Sequence, residues 1–334
     1  MKNKSKYKNI IIIGSLYSLL FSLLVFKIKE SYIFLANGIK CNTSDSILKD
    51  RSYITNIHLK KRNFLGVLEY YYNFFKYFIK IVKYYHSKFY ANSYLRESGI
   101  LFKYTLLEDG LADYKTADFL NPNKKKSLKS KIKKILQLDF RRDEINRIEE
   151  FYLTGLAPIP LEIKNKVKIF NLKKLWNKKN DIEKQEILTV FGFNEDSIKN
   201  IRNRKYILYT QPLSEDNIVL EEEKIELYSK ILENYDRSCI ILKKHPREKT
   251  DYKKIFPDIE VIDQVFPAEL LVLLDIHFEK AITIFSTAAL TDDKVKVDFY
   301  GTEIHSKLFK EFGSQDTIMK RNAFLDKLDE KESK

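Results

Sequence analysis

The sequence predicts an α/β protein made of two doubly wound halves that face each other across a central cleft. Two observations carry this. From Tyr206 onward, short β-branched and aromatic runs alternate with helix-like stretches, and three of the runs end in polar turns. Near the N-terminus, Ile10-Ile11-Ile12-Ile13, Gly14-Ser15 and Leu16 to Phe26 read as strand, turn and helix. Strands alternating with helices imply a mostly parallel sheet with right-handed crossovers.

A chain of 334 residues is long enough for two domains of ordinary size, each with its own core. A composition 44% hydrophobic and 32% charged suits globular folding rather than disorder. The formal charge of +14 predicts attraction to polyanions. No zinc-finger spacing, basic-aromatic RNA-binding signature or basic zipper accompanies that charge, so nucleic acid is not expected as a partner. Cys41 and Cys239 are the only cysteines and lie far apart. They make neither a disulfide framework nor a cysteine metal cluster, and a reducing compartment fits best.

The lysine-rich Met1 to Asn9 followed by apolar Ile10 to Phe26 also has the outline of a signal peptide or short membrane anchor. Four consecutive β-branched isoleucines favour a strand, and Gly14-Ser15 interrupts the apolar run. With Tyr32 to Leu35 as a second strand, the expectation is a β-α-β unit. Asn56 to Lys61 is another short apolar-polar segment, and Phe64 to Tyr90 reads as a long aromatic helix with Lys76, Lys80 and Lys83 at helical spacing. That helix packs in the core with a solvated lysine face, or lies on an anionic membrane surface. Gly99 to Leu107 reads as a strand ending in Glu108-Asp109-Gly110, and Asn121 to Lys134 as a lysine-rich surface segment. Phe151 to Gly155 and Val167 to Phe170 are further strands, and Asn180 to Gly192 is a helix stopped by glycine.

In the second half the expected strands are Tyr206 to Thr210, Cys239 to Lys243, Ile259 to Ile262, Ala281 to Phe285 and Val295 to Gly301. Helices are expected over Glu221 to Asn234, with acidic residues in the first turn, and from Pro267. The domain boundary falls near Trp176 to Lys205.

Moving a sugar from a nucleotide to an alcohol needs a base for the hydroxyl proton and donors or positive charge for the departing phosphate. Asp109, on a turn at a strand end, suits the first role. His245 suits the second through its ordinary pKa near 6.5, with Lys244 and Arg247 flanking. Ser286 and Thr287, at a strand-to-helix junction, offer hydroxyls and backbone N–H groups to an anion. The structural alternatives are a plain Asp-Gly turn, a structural histidine before proline and a helix N-cap. His58, His86, His277 and His305 show no metal-ligand spacing. There is no P-loop and no Gly-x-Gly-x-x-Gly, which weighs against a P-loop kinase or a dinucleotide oxidoreductase.

In order, Leu107-Glu108-Asp109-Gly110, Thr210-Gln211-Pro212-Leu213-Ser214-Glu215, Lys244-His245-Pro246-Arg247 and Phe285-Ser286-Thr287-Ala288 resemble the bacterial lipooligosaccharide sialyltransferases of glycosyltransferase family 52. The resemblance is strongest from Tyr206 to Gly301. It implies a GT-B-like fold of two Rossmann-type domains, an acceptor-side domain over 1–180 and a nucleotide-sugar domain over 181–334. It implies CMP-sialic acid as donor substrate, no metal or other cofactor, and one inverting displacement onto a galactose hydroxyl of a lipid-linked oligosaccharide. By motif match Asp109 is the base and His245 serves the CMP phosphate. Ser286 and Thr287 bind that phosphate, and Pro246 shapes the turn. Glu215 or Asp216 is the alternative base. The implied partners are the nucleotide-sugar donor, the lipid-linked acceptor, an anionic membrane surface and a second copy in a homodimer, with the protein peripheral to the cytoplasmic face of the bacterial inner membrane. The competing readings are a related transferase using another nucleotide sugar and a non-catalytic membrane-surface protein that binds glycan or lipid through Lys124 to Lys134 and the aromatic helix.

Overall fold

Ile10 to Ile13 are all at most 1% exposed, which is what a strand covered on both faces of a parallel sheet requires. They belong to β1 (Asn9–Ile13) at the centre of the first sheet in a computed structural model. The structure describes residues 6–55, 64–92, 102–110, 113–114, 147–262, 264–292 and 294–314. The chain divides into two units, Met1–Val190 and Phe191–Lys334, so the helix Asp181–Val190 belongs with the first.

In the first unit β1 is followed by β2 (Ser31–Ala36), β3 (Ser52–Thr55), β4 (Lys88–Ala91), β5 (Tyr104–Leu107), β6 (Ile148–Leu153) and β7 (Val167–Ile169). All pairings are parallel, in the order β3-β2-β1-β4-β5-β6-β7. The chain thus builds outward from β1, returns, and continues on the other side, which makes β1 and β4 the switch point of the sheet. Helix α1 (Leu16–Val25) starts immediately after β1. Ser15 is its N-cap, accepting from the Ser18 amide at 3.1 Å, while Ser18 Oγ accepts from the Ser15 amide at 3.4 Å. Leu19, Leu20 and Phe21 are fully buried. The N-terminal apolar run is therefore strand, turn and helix, and among the described residues no helix is long and apolar enough to cross a membrane.

The aromatic helix α2 spans Phe64–Val82 and ends earlier than its sequence pattern indicates. Lys88 to Tyr90, expected at its end, belong instead to strand β4, inserted between β1 and β5 with Phe89, Tyr90 and Ala91 buried. A parallel central strand is apolar on both faces, so periodicity does not separate it from a continuing helix. Strand β3 also lies ahead of the segment expected at Asn56 to Lys61. That segment, Gly99 to Leu101, and the Lys124 to Lys134 run fall outside the described residues.

The second unit has β8 (Tyr206–Tyr209), β9 (Ile240–Lys243), β10 (Glu260–Val261), β11 (Lys280–Thr283) and β12 (Lys296–Phe299). They pair in parallel in the order β10-β9-β8-β11-β12, with the switch point at β8 and β11. The helix Glu221–Leu232 buries Leu227, Tyr228, Ile231 and Leu232 against Leu208, Leu242 and Ile282 of the sheet. Two parallel doubly wound sheets confirm the expected α/β class.

Candidate active site

In the first unit the turn after β5 separates two neighbouring carboxylates. Glu108 is fully buried and accepts four hydrogen bonds: from Tyr17 Oη at 2.7 Å, Tyr114 Oη at 2.7 Å, and Thr154 N and Oγ1 at 2.6 Å each. It clasps the end of β5 to α1 and to the end of β6. Asp109 is half-buried and lies against the switch point. The Ser15 hydroxyl donates to its Oδ1, and its backbone amide donates to Asp113. Burial pushes the Asp109 carboxyl above the usual carboxylate range, against the lowering influence of Ser15, Asn92 and Ser18; the charge of Glu108 raises it further. Gly110 closes the turn at φ +131°, a conformation that L side chains rarely adopt.

Two members of this group carry no motif. Ser15 follows β1, and Asn92 follows β4 and donates to Ser18 Oγ at 3.1 Å. The Asn92 side-chain carbonyl is buried with no hydrogen-bond partner among the described residues. Ser15 was findable as the polar residue ending an isoleucine strand. Asn92 was hidden by the reading of helix through Tyr90.

In the second unit the turn after β9 carries Lys244, His245, Pro246 and Arg247. Burial pushes His245 down to about 4, with Arg247 and Lys243 adding to the effect and Asp216 and Glu215 opposing it. The Arg247 amide donates to His245 Nδ1 at 3.2 Å, which leaves the ring proton on Nε2. The ordinary titration near 6.5 that the sequence suggests is thus shifted down, and the imidazole is neutral at pH 7 with an N–H on Nε2. Arg247 is not free beside the turn, since its guanidinium pairs with both oxygens of Asp216, at 3.0 Å for Oδ2. Lys244 Nζ lies 3.4 Å from the Thr250 carbonyl.

The turn is held by residues the motif does not contain. Glu248 accepts from the His245 amide at 2.6 Å, the Thr210 hydroxyl at 2.6 Å and Tyr252 Oη at 2.7 Å. Glu215, the alternative base, accepts from the Lys249 amide at 2.6 Å and Lys224 Nζ at 3.0 Å. Burial alone would raise its carboxyl, but these bonds and the Lys224 charge outweigh burial and hold it at about 2. So low a proton affinity suits an ion-pair anchor better than a general base.

The turn after β11 lies on the other side of β8. The Phe285 amide donates to Gln211 Oε1 at 3.1 Å, and the Ser286 amide to Thr283 Oγ1 at 2.8 Å. Ser286 caps only a short 3-10 turn, Thr287–Leu290, accepting from the Ala288 amide at 3.3 Å. The expected helix N-terminus is thus absent, and the hydroxyls are what the turn can offer. Ser286 keeps its proton to donate, and the exposed Thr287 hydroxyl has no partner among the described residues. The structure therefore brings His245, Ser286 and Thr287 to the carboxyl ends of β9 and β11, flanking β8, where doubly wound sheets bind ligands. No group of three or more His, Cys, Asp or Glu that could hold a metal occurs among the described residues.

Two parallel doubly wound units define the GT-B class of fold, and solved structures agree. The GT-B domain of a sialyltransferase from Photobacterium damselae matches with a TM-score of 0.59 at 13% identity, over 94% of this chain and 96% of that one. The 2,6-sialyltransferase of Photobacterium sp. JT-ISH-224, solved with CMP and lactose, matches with a TM-score of 0.56 at 16% identity, over 87% of this chain and 70% of that one. At such identities the likeness is one of fold.

The chain belongs to glycosyltransferase family 52, whose sequence model matches residues 27–308. An uncharacterized protein of Haemophilus influenzae is 44% identical over 209 residues, which is 63% of this chain and 65% of that protein. The match thus spans less than two thirds of that relative's length.

Proposed function

We propose that the chain is an inverting sialyltransferase that moves sialic acid from CMP-sialic acid to a galactose hydroxyl of a lipooligosaccharide or related surface glycan. The observation that carries the reading is the pair of donor turns flanking β8, with neutral His245 on one side and Ser286 and Thr287 on the other. Family membership supports transferase chemistry. The CMP and lactose bound to the Photobacterium sp. JT-ISH-224 enzyme make a CMP donor and a galactoside acceptor the first substrates to try.

In this reaction the acceptor hydroxyl oxygen forms a bond to the anomeric carbon of the sialic acid. The bond from that carbon to the phosphate oxygen breaks, and its electron pair leaves with CMP. The hydroxyl proton passes to Asp109, whose raised proton affinity suits a base. His245 Nε2–H and the hydroxyls of Ser286 and Thr287 donate to the departing phosphate. Lys244 adds charge, Pro246 shapes the turn, and Arg247 contributes on releasing Asp216. As written, the step needs no metal ion. The enzyme then works at the cytoplasmic face of the inner membrane, where it meets its lipid-linked acceptor.

The test offers the purified chain CMP-sialic acid, UDP-glucose and UDP-galactose in turn with lactose as acceptor. Sialyl-lactose from the CMP donor alone is the expected result. Transfer from the UDP-sugars only would overturn the proposal in favour of a related glycosyltransferase.

A further inference from the structure

Helix α2 is apolar on two opposite faces. Tyr77 and Ile81 are buried in the core of the first unit. On the other side Leu68, Tyr72, Phe75, Ile79 and Val82 are between 38% and 60% exposed. They recur at steps of four, three, four and three residues, so they form one line along the helix, about 21 Å long. A helix apolar on both faces is expected to be covered on both, and a continuous exposed apolar stripe marks an interaction surface.

Charge decides what covers it. Lys76 and Lys80 lie along one flank of the stripe, and Lys83 follows in the turn after the helix; all three are exposed. Lys76 Nζ sits 4.3 Å from the Tyr72 ring centroid and Lys80 Nζ 4.0 Å from that of Tyr53, so their stems lie along aromatic surface. Glu69 is the only acid between Phe64 and Val82. A second copy laid on the stripe brings lysine against lysine when antiparallel, or lysine against the apolar opposite flank when parallel. A layer of lipid phosphates meets every one of these lysines with opposite charge. Tyr72 and Tyr85, at 59% and 63% exposed, are side chains that suit a boundary between apolar and wet surroundings. We infer that α2 lies flat on an anionic lipid surface, its stripe sunk into the acyl-chain boundary and Lys76, Lys80 and Lys83 level with the phosphates. The inference does not depend on the transferase reading.

The test is sedimentation of the full chain with vesicles of phosphatidylcholine alone or mixed with phosphatidylglycerol. The unaltered chain is expected to bind the anionic vesicles at least ~10-fold more tightly, as a few surface lysines would give. The triple variant K76Q/K80Q/K83Q should lose most of that preference. Phe75→Ser with Ile79→Ser should weaken binding to anionic vesicles at least ~10-fold, from the apolar area removed. All five positions are exposed, so both variants should keep the unfolding transition of the parent. The inference is overturned if the unaltered chain ignores anionic vesicles, or if both variants bind them as well as the parent. It is also overturned if light scattering shows a dimer that the serine variant splits while vesicle binding persists, which would assign the stripe to a second copy.

Discussion

The His245 backbone amide donates to Glu248 Oε2 at 2.6 Å, and the same oxygen takes the Thr210 hydroxyl at 2.6 Å. One carboxylate thus ties the turn after β9 to the end of β8, while its other oxygen takes Tyr252 Oη at 2.7 Å. Glu248 is 2% exposed, and burial pushes its carboxyl up against the pull of these donors. A carboxylate accepts on both oxygens, whereas an amide accepts on one. Glu248→Gln should therefore strand a buried donor, cost about 1–3 kcal/mol in urea unfolding, and weaken CMP binding several-fold by loosening the histidine turn. An unchanged urea midpoint with unchanged CMP affinity would show that the clasp does not position His245.

His245 makes the stability of the protein depend on pH. Its folded-state pKa of about 4 lies below the ordinary 6.5, because burial disfavours the imidazolium. Between those values the unfolded chain takes up a proton that the folded chain refuses. Its contribution to stability is complete above pH 6.5 and is lost as pH falls towards 4. Glu215, held at about 2 against an ordinary 4.5, contributes above pH 4.5 and loses its contribution as pH falls towards 2. His245→Asn should flatten the stability curve between pH 6.5 and 4 and leave the lower limb intact. Denaturant titrations across that range check this; identical slopes for the two proteins would contradict a half-buried neutral imidazole.

Lys224 is fully buried on the helix Glu221–Leu232, and its Nζ meets Glu215 at 3.0 Å, Glu221 at 3.1 Å, Glu248 at 3.9 Å and Thr250 Oγ1 at 2.6 Å. Lys224→Met leaves three carboxylates without their shared cation and is expected to cost about 3–5 kcal/mol in equilibrium unfolding. Thr250→Val removes one hydroxyl from the same group and should cost about 1 kcal/mol, so the cluster can be probed even where the lysine variant does not fold. A near-neutral Lys224→Met would mean that the carboxylates find other partners.

The second unit was legible in the sequence because β8, β9 and β11 are short apolar runs, each ending in a polar turn. β4 was not, because Phe89-Tyr90-Ala91 prolongs the aromatic pattern of α2, and only pairing with β1 and β5 makes it a strand. The turn residues Asp109, His245, Ser286 and Thr287 were legible as residue types at strand ends. Their settings were not, since Ser15 and Asp109 are 94 residues apart, and the bond from Phe285, beside Ser286, to Gln211 spans 74. Adjacent lysines also part company through strand alternation. Lys244 is half-buried, while Lys243 is buried with its Nζ 4.5 Å from the Phe266 ring and is pushed down to about 8 by that burial.

The base assignment has its own test. Asp109→Ala should lower turnover with CMP-sialic acid at least ~100-fold, the usual scale for a general base, while CMP binds the second unit as before. The acid limb of the pH–rate profile should lie above the ordinary carboxylate range, because burial raises Asp109. The Ser15 hydroxyl stabilises the charged form, so Ser15→Ala should move that limb to higher pH, while Ser15→Thr, which keeps a hydroxyl, should restore it. Ser15→Ala also removes the cap of α1 and should cost about 1 kcal/mol of stability. A purely structural role predicts that loss with a lower rate and an unmoved limb. Asp109→Ala with near-normal turnover would remove Asp109 from the chemistry.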